Sequence, residues 1–203
     1  MIEISAEAVE RVESILAGVP KGADRALSNA INRGLSRVKT GAKKRVKEVY
    51  TVQSSAFNEA TSTKVKKAST GSIAGYVHFS GYKIPLYKFQ VTPKATGTGK
   101  QVKAAVMKGS GTVFEDAFIA QMKTGHLGVF ERTGEQGIVS RLAKAKSKNG
   151  TEHTEKIEEK MGLSAAQMIG NIKVLDAIEK EAQEVINERL EHEVERILNG
   201  YGG

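Results

Sequence analysis

Phe118–Gly134, FIAQMKTGHLGVFERTG, follows Ala117 and joins a strand-rich middle to an acidic C-terminal helix. Phe118, Ile119 and Met122 fall at helical spacing and predict one helical turn. Gly125 then predicts a stop, and Leu127, Val129 and Phe130 a short apolar strand. The stretch holds no plausible catalytic set, so its residues read as packing and contact surface.

Upstream, Ser5 is an N-cap for a helix whose apolar positions are Ala8, Val9, Val12, Ile15 and Leu16, ending at Gly18–Pro20. A longer helix is predicted from Gly22 to Val49, about 40 Å long at about 1.5 Å per residue. Gly34 and Gly41 each weaken it by about 1 kcal/mol relative to Ala, which predicts a packing contact at those positions. Ser54–Ala60 predicts a helical turn, and Thr61–Ala68 an edge strand whose outward Lys64, Lys66 and Lys67 discourage indiscriminate sheet pairing. Alternation over Ser72–Ser80 predicts a strand, with further strands over Lys83–Val91 and Lys100–Lys108. Gly109–Thr112 lacks the Gly-Lys-Ser/Thr ending of a phosphate loop and reads as a hairpin turn.

Downstream, residues 135–162 read as an irregular loop carrying Lys144, Lys146 and Lys148. Ser164 and Gln167 form a capping box that opens a long final helix to Leu198. The fold class is α+β: long N-terminal helices, a central mostly antiparallel sheet of about four strands, and a long C-terminal helix. The organisation expected is a single domain over 1–203, with helical N-terminal residues 1–50, a sheet-rich core 61–134 and the C-terminal helix 163–203.

Composition narrows the function classes. The apolar fraction is 39% and aromatics only 5%, so the core is modest and suits a chain that completes its burial against partners. Without cysteine there is no disulfide framework and no thiolate metal site, which fits assembly in a reducing cytoplasm. The N-terminus lacks a signal-peptide pattern and no window reaches the roughly 18 apolar residues of a membrane span, so a soluble protein is expected. None of His78, His126, His153 and His192 pairs at i, i+4, so no metal is expected, nor any cofactor. His126 reads as a turn residue, Glu158–Glu159 as surface acids, and no enzyme is assigned.

Charge is the clearest physical signal beside the motif. The net charge is +8. Residues 21–50 carry nine basic side chains (Lys21, Arg25, Arg33, Arg37, Lys39, Lys43, Lys44, Arg45, Lys47) against Asp24 and Glu48. Residues 176–196 reverse this, with eight acids (Asp176, Glu179, Glu181, Glu184, Glu188, Glu191, Glu193, Glu195) against Lys180, Arg189 and Arg196. The basic helix can track phosphates, or it can pair with the acidic helix of the same or a neighbouring copy. No base-reading motif is present, so a nucleic-acid reading is restricted to sequence-independent DNA binding of nucleoid type.

Three phrases in order resemble the phage minor tail protein Z family, also called tail completion proteins of long-tailed phages. They are Ala26–Arg33 (ALSNAINR), Ala117–Gly134, and Leu163–Leu198 with its Arg189-Leu190-Glu191-His192-Glu193 phrase. The stretch Gly162–Met168 lacks the two prolines this family often shows before its last helix. The resemblance implies a structural virion protein, without catalysis, at the head-proximal end of the tail. It implies a homo-oligomeric ring, six copies being the expected number, between the tail terminator or tube and the head completion or connector proteins. Phage DNA would pass through that ring unread, and no membrane is involved. The implied location is the head–tail junction of the virion, reached from the host cytoplasm during assembly. On this reading Phe118, Ile119, Met122, His126, Val129, Phe130 and Arg132 are candidate subunit-interface residues. Arg33, Arg37, Lys43, Lys44, Arg45 and Lys47 are candidates to face the DNA channel or a partner.

Overall fold

The computed structural model describes residues 3–136 and 155–200, which form two compact units. The lysine loop around Lys144, Lys146 and Lys148, and His153, lie outside the described residues.

The first unit comprises residues 1–49, 60–82 and 164–203. Helix α1 (Ala6–Ile15) starts where Ser5 Oγ accepts from Ala8 N at 3.2 Å. Helix α2 (Gly22–Val49) is continuous over the predicted range. It runs antiparallel to the last helix, α5 (Ile172–Leu198), as the contacts of Asn29 with Glu193, Gly34 with Ile186 and Arg45 with Glu181 require. Between them and α1 lies a core of Val12, Leu16, Ala26, Leu27, Ala30, Ile186, Leu190, Val194 and Ile197. Small residues on α2 let the helices approach closely: a Cβ on Gly34 would sit 2.6 Å from Ile186 Cδ1. The expected packing contact at Gly34 is therefore present, and it fixes the helix spacing.

A ribbon of β1 (Thr61–Lys66) and β2 (Tyr76–Gly81) completes this unit, paired antiparallel with Val65 opposite Val77. Asn32 on α2 pins the chain just beyond β1, its amide both donating to Ala68 O and accepting from Ala68 N at 2.9 Å. That two-way pairing satisfies a buried backbone segment as a neighbouring strand would. The capping box at Ser164 and Gln167 forms as predicted but opens only a short helix, α4 (Ala165–Ile169). Gly170 ends it, and Asn171 caps α5 separately, its side chain accepting from Lys173 N. The single final helix expected from Ser164 is thus two helices, because a second cap residue directly follows a glycine.

The second unit comprises residues 50–59 and 83–163. After helix α3 (Ser54–Glu59) come β3 (Lys83–Pro85), a 3-10 turn at 86–88, β4 (Gln90–Thr92), β5 (Val102–Ala105) and β6 (Thr112–Phe114). Strands β7 (Ala117–Gln121), β8 (Leu127–Gln136), β9 (Glu155–Glu159) and β10 (Met161–Ser164) follow. Strands β4-β5-β6 and β7-β8-β9 form two antiparallel sheets, and β3 pairs with β10. Leu86, Val91, Val102, Ala104, Ala117, Ile119 and Val129 make the core.

The α+β class holds, with small antiparallel sheets in place of one central sheet. Three local expectations are corrected. Phe118–Met122 is not a helical turn: Ala117 and Ile119 alternate into the core from β7, and pairing with β8 overrides the weak helical spacing. Residues 135–162 are not all loop, since β8 runs on to Gln136 and β9 and β10 occupy part of that range. The strand expected over Lys83–Val91 is broken at Leu86–Lys88, where Leu86 N turns to Lys160 O at 2.8 Å.

Candidate interface surfaces

The hairpin β7–β8 shows what each position of the GHLGVFxR phrase does. Gly125 adopts φ 85°, a left-handed turn conformation that favours glycine. Around it Met122 N donates to His126 O at 2.8 Å and Gly125 N to Met122 O at 2.9 Å. The register Phe118↔Phe130, Ile119↔Val129, Gln121↔Leu127 then divides the hairpin into two faces. Ile119 and Val129 point into the core and are buried.

Phe118 and Phe130 share the other face, with centroids 6.3 Å apart. Arg132 lies over the Phe118 ring at 5.5 Å, a cation–π contact. His126 meets Phe130 edge-on at 6.4 Å, and its Nε2–H donates to Glu159 Oε1 on β9 at 2.7 Å. Gly128 makes room for this arrangement: a Cβ there would lie 2.6 Å from Glu159 Oε1 and 2.8 Å from the Phe130 ring. On this face His126 and Arg132 are exposed, Phe118 is half-buried and Phe130 buried beneath them, with Met122 half-buried in the turn. Sequence reasoning makes Glu159 a plain surface acid and assigns Gly128 no role. Both become visible only once β8 and β9 are paired, because 33 residues separate His126 from Glu159.

The basic helix presents a second surface. Arg33, Arg37, Lys44 and Lys47 fall within about 80° of arc at about 100° per residue. Arg33, Lys44 and Lys47 line this side of the helix, with Lys43 half-buried beside them. Arg37 and Arg45 are engaged internally: both pair with Glu181 on α5, and Arg45 also holds Glu48 at 3.0 Å. Burial by itself would raise the Glu181 carboxyl, but the Arg45 hydrogen bond and the charges of Arg37 and Arg45 outweigh it. The group is held below the usual carboxylate range. The hydrogen bonds Arg45 donates to Glu48 and then to Glu181 raise it above its ordinary value. Pairing of the basic helix with the acidic helix of the same copy is thus real, through two of the six candidate cations.

A second acid on α5 is fully enclosed. Glu193 is 1% exposed; Asn29 Nδ2 donates to its Oε2 at 3.0 Å, and Arg189 and Arg196 flank it. It locks α5 to α2, since a buried carboxylate is tolerable only when paired and hydrogen-bonded.

Among the described residues no cluster of three His, Cys, Asp or Glu could hold a metal ion, and no helix is long and apolar enough to cross a membrane. A clamped antiparallel helix pair and small antiparallel sheets define an α+β protein. The chain belongs to the prophage minor tail protein Z (GPZ) family, whose profile matches residues 5–201 and so spans all three phrases of the resemblance. It is a structural protein of the phage tail. No curated protein and no solved structure matches it.

Proposed function

We propose that this chain is a tail completion subunit that forms a ring at the head-proximal end of a long phage tail, where it joins tail to head and lets DNA pass. Family membership across residues 5–201 is the observation that carries this reading. Two surface features support it. The face of Phe118, His126 and Arg132 is half-open and holds a stacked cation, the residue types that anchor protein–protein contacts. Arg33, Lys44 and Lys47 follow one line of α2, which suits a surface passed by DNA or pressed to an acidic partner without base readout. The partners are further copies, the tail terminator or tube on one side, and head completion or connector proteins on the other.

Mass spectrometry of tails separated from heads tests the proposal. A small copy number per tail, about six for a closed cyclic ring, independent of tail length, is the expected result. Absence from tails, or copies in proportion to tube protein, overturns it. The same lysines and arginine favour one competing reading, a nucleoid-type DNA binder. That reading requires micromolar duplex affinity that falls steeply with salt; no duplex binding at moderate salt removes it.

A further inference from the structure

The chain between Glu59 and Glu115 carries nine lysines and no carboxylate. Within the first unit this stretch forms the β1–β2 ribbon, whose register divides it into two faces. Val77 and Phe79 look inward and line an apolar hollow against α2 and α5, where Glu3 and Glu179 also lie. The outward face pairs Lys64 with His78 and Lys66 with Tyr76. All four are exposed, as are Ser62 on the same face and Lys67 just beyond β1. Among the described residues no ion pair holds Lys64, Lys66 or Lys67. Helix α2 differs: Glu181 takes up Arg37 and Arg45, and the exposed Glu48 stands one turn from Lys44. Guarding the β1 edge accounts for lysines on β1, but not for the lack of any acid on β2 or in the chain that follows it.

We infer that the outward face of the β1–β2 ribbon is where the protein meets duplex DNA, against the sugar–phosphate backbone and without base readout. A phosphate backbone is the polyanion that matches a surface of ammonium groups with no carboxylate among them. Lysine is a point charge on a flexible stem and can follow phosphates in any sequence. Bidentate arginine, the usual reader of guanine, is absent from residues 60–114. The hydroxyls of Tyr76 and Ser62 add hydrogen-bond donors of the kind that position a protein on phosphates. Interfaces between proteins are depleted in lysine, so an acidic protein is the poorer match. A two-stranded ribbon also fits the major groove of B-DNA, about 12 Å wide. The inference rests on the tail-completion reading, in which DNA passes the subunit, and names the surface it passes. It assigns DNA to the ribbon rather than to the α2 row.

Fluorescence anisotropy with two short duplexes of unrelated sequence reads this contact. Three lysine–phosphate contacts predict equal affinity for both duplexes, falling about fortyfold between about 50 and 200 mM salt at a log–log slope of about −0.9 per contact. A protein carrying Lys64→Gln, Lys66→Gln and Lys67→Gln should lose at least about tenfold at the lower salt, and one carrying Arg33→Gln, Lys44→Gln and Lys47→Gln less than about twofold. All six side chains are exposed, so the fold should survive, which circular dichroism checks. Lysine acetylation read by mass spectrometry needs no variant: the duplex should protect Lys64, Lys66 and Lys67 and leave Lys44 and Lys47 reactive. The ribbon contact is overturned by no duplex binding at the lower salt, or by an equal or greater loss in the α2 variant. Polyglutamate competing as strongly as unlabelled duplex at equal charge would also overturn it, in favour of an acidic protein. None of these outcomes alters the copy number per tail, which tests the tail-completion reading separately.

Discussion

Gly34 and Gly41 look equivalent on α2, seven residues apart on the face toward α5, yet their surroundings make opposite demands. A methyl group at Gly34 would strike Ile186, so Gly34→Ala forces the helices apart and should lower stability by about 1–3 kcal/mol, even after a helix-propensity gain of about 1 kcal/mol. At Gly41 the nearest atom is Glu181 Oε2, 3.5 Å from the added carbon and in ordinary contact. Gly41→Ala should therefore raise stability by up to about 1 kcal/mol. Urea denaturation of the two variants decides it, and equal effects would contradict this account of the helix contact. Gly128 belongs with Gly34: Gly128→Ala pushes on the Phe130 ring and the Glu159 carboxylate together. A loss of about 1–3 kcal/mol in the same assay is expected, whereas an unchanged midpoint would mean that the His126–Glu159 face rearranges freely.

Among the elements, the α2–α5 pair depends on charge as well as on packing. Glu181 titrates below its ordinary value in the folded protein, so its contribution is complete above the unfolded carboxylate pKa of about 4.3 and fades as pH falls through the lower folded value. Glu181→Gln should cost about 1.5–3 kcal/mol at pH 7, the scale of hydrogen bonds to charged groups. The gap to the unaltered protein should shrink at pH 3, and denaturation at both pH values that showed a constant gap would contradict the clamp. Helix α2 was legible in the sequence from end to end because its apolar stripe is long and runs unbroken from Gly22 to Val49. Ser5 and the Ser164–Gln167 box were legible because a cap is a local signal, carried by residues within one turn of each other. Phe118–Met122 was not, since five residues of mixed spacing fit a helix turn or a strand equally, and only the pairing with β8 decides. The role of Glu159 was hidden by its distance in the chain from His126, and Glu193 by its likeness to the acids around it.

For the whole molecule, two compact units carry unlike features: a basic helix row on one, an aromatic–cation face on the other. Membership of the minor tail protein Z family makes it a structural protein of the tail, and we propose for it a position at the head-proximal end. Electron microscopy of particles labelled at Gly203 tests that claim most directly. Label confined to the head–tail junction is the expected result; label along the tail tube, at the distal tip, spread over packaged DNA or absent from the particle would contradict that position.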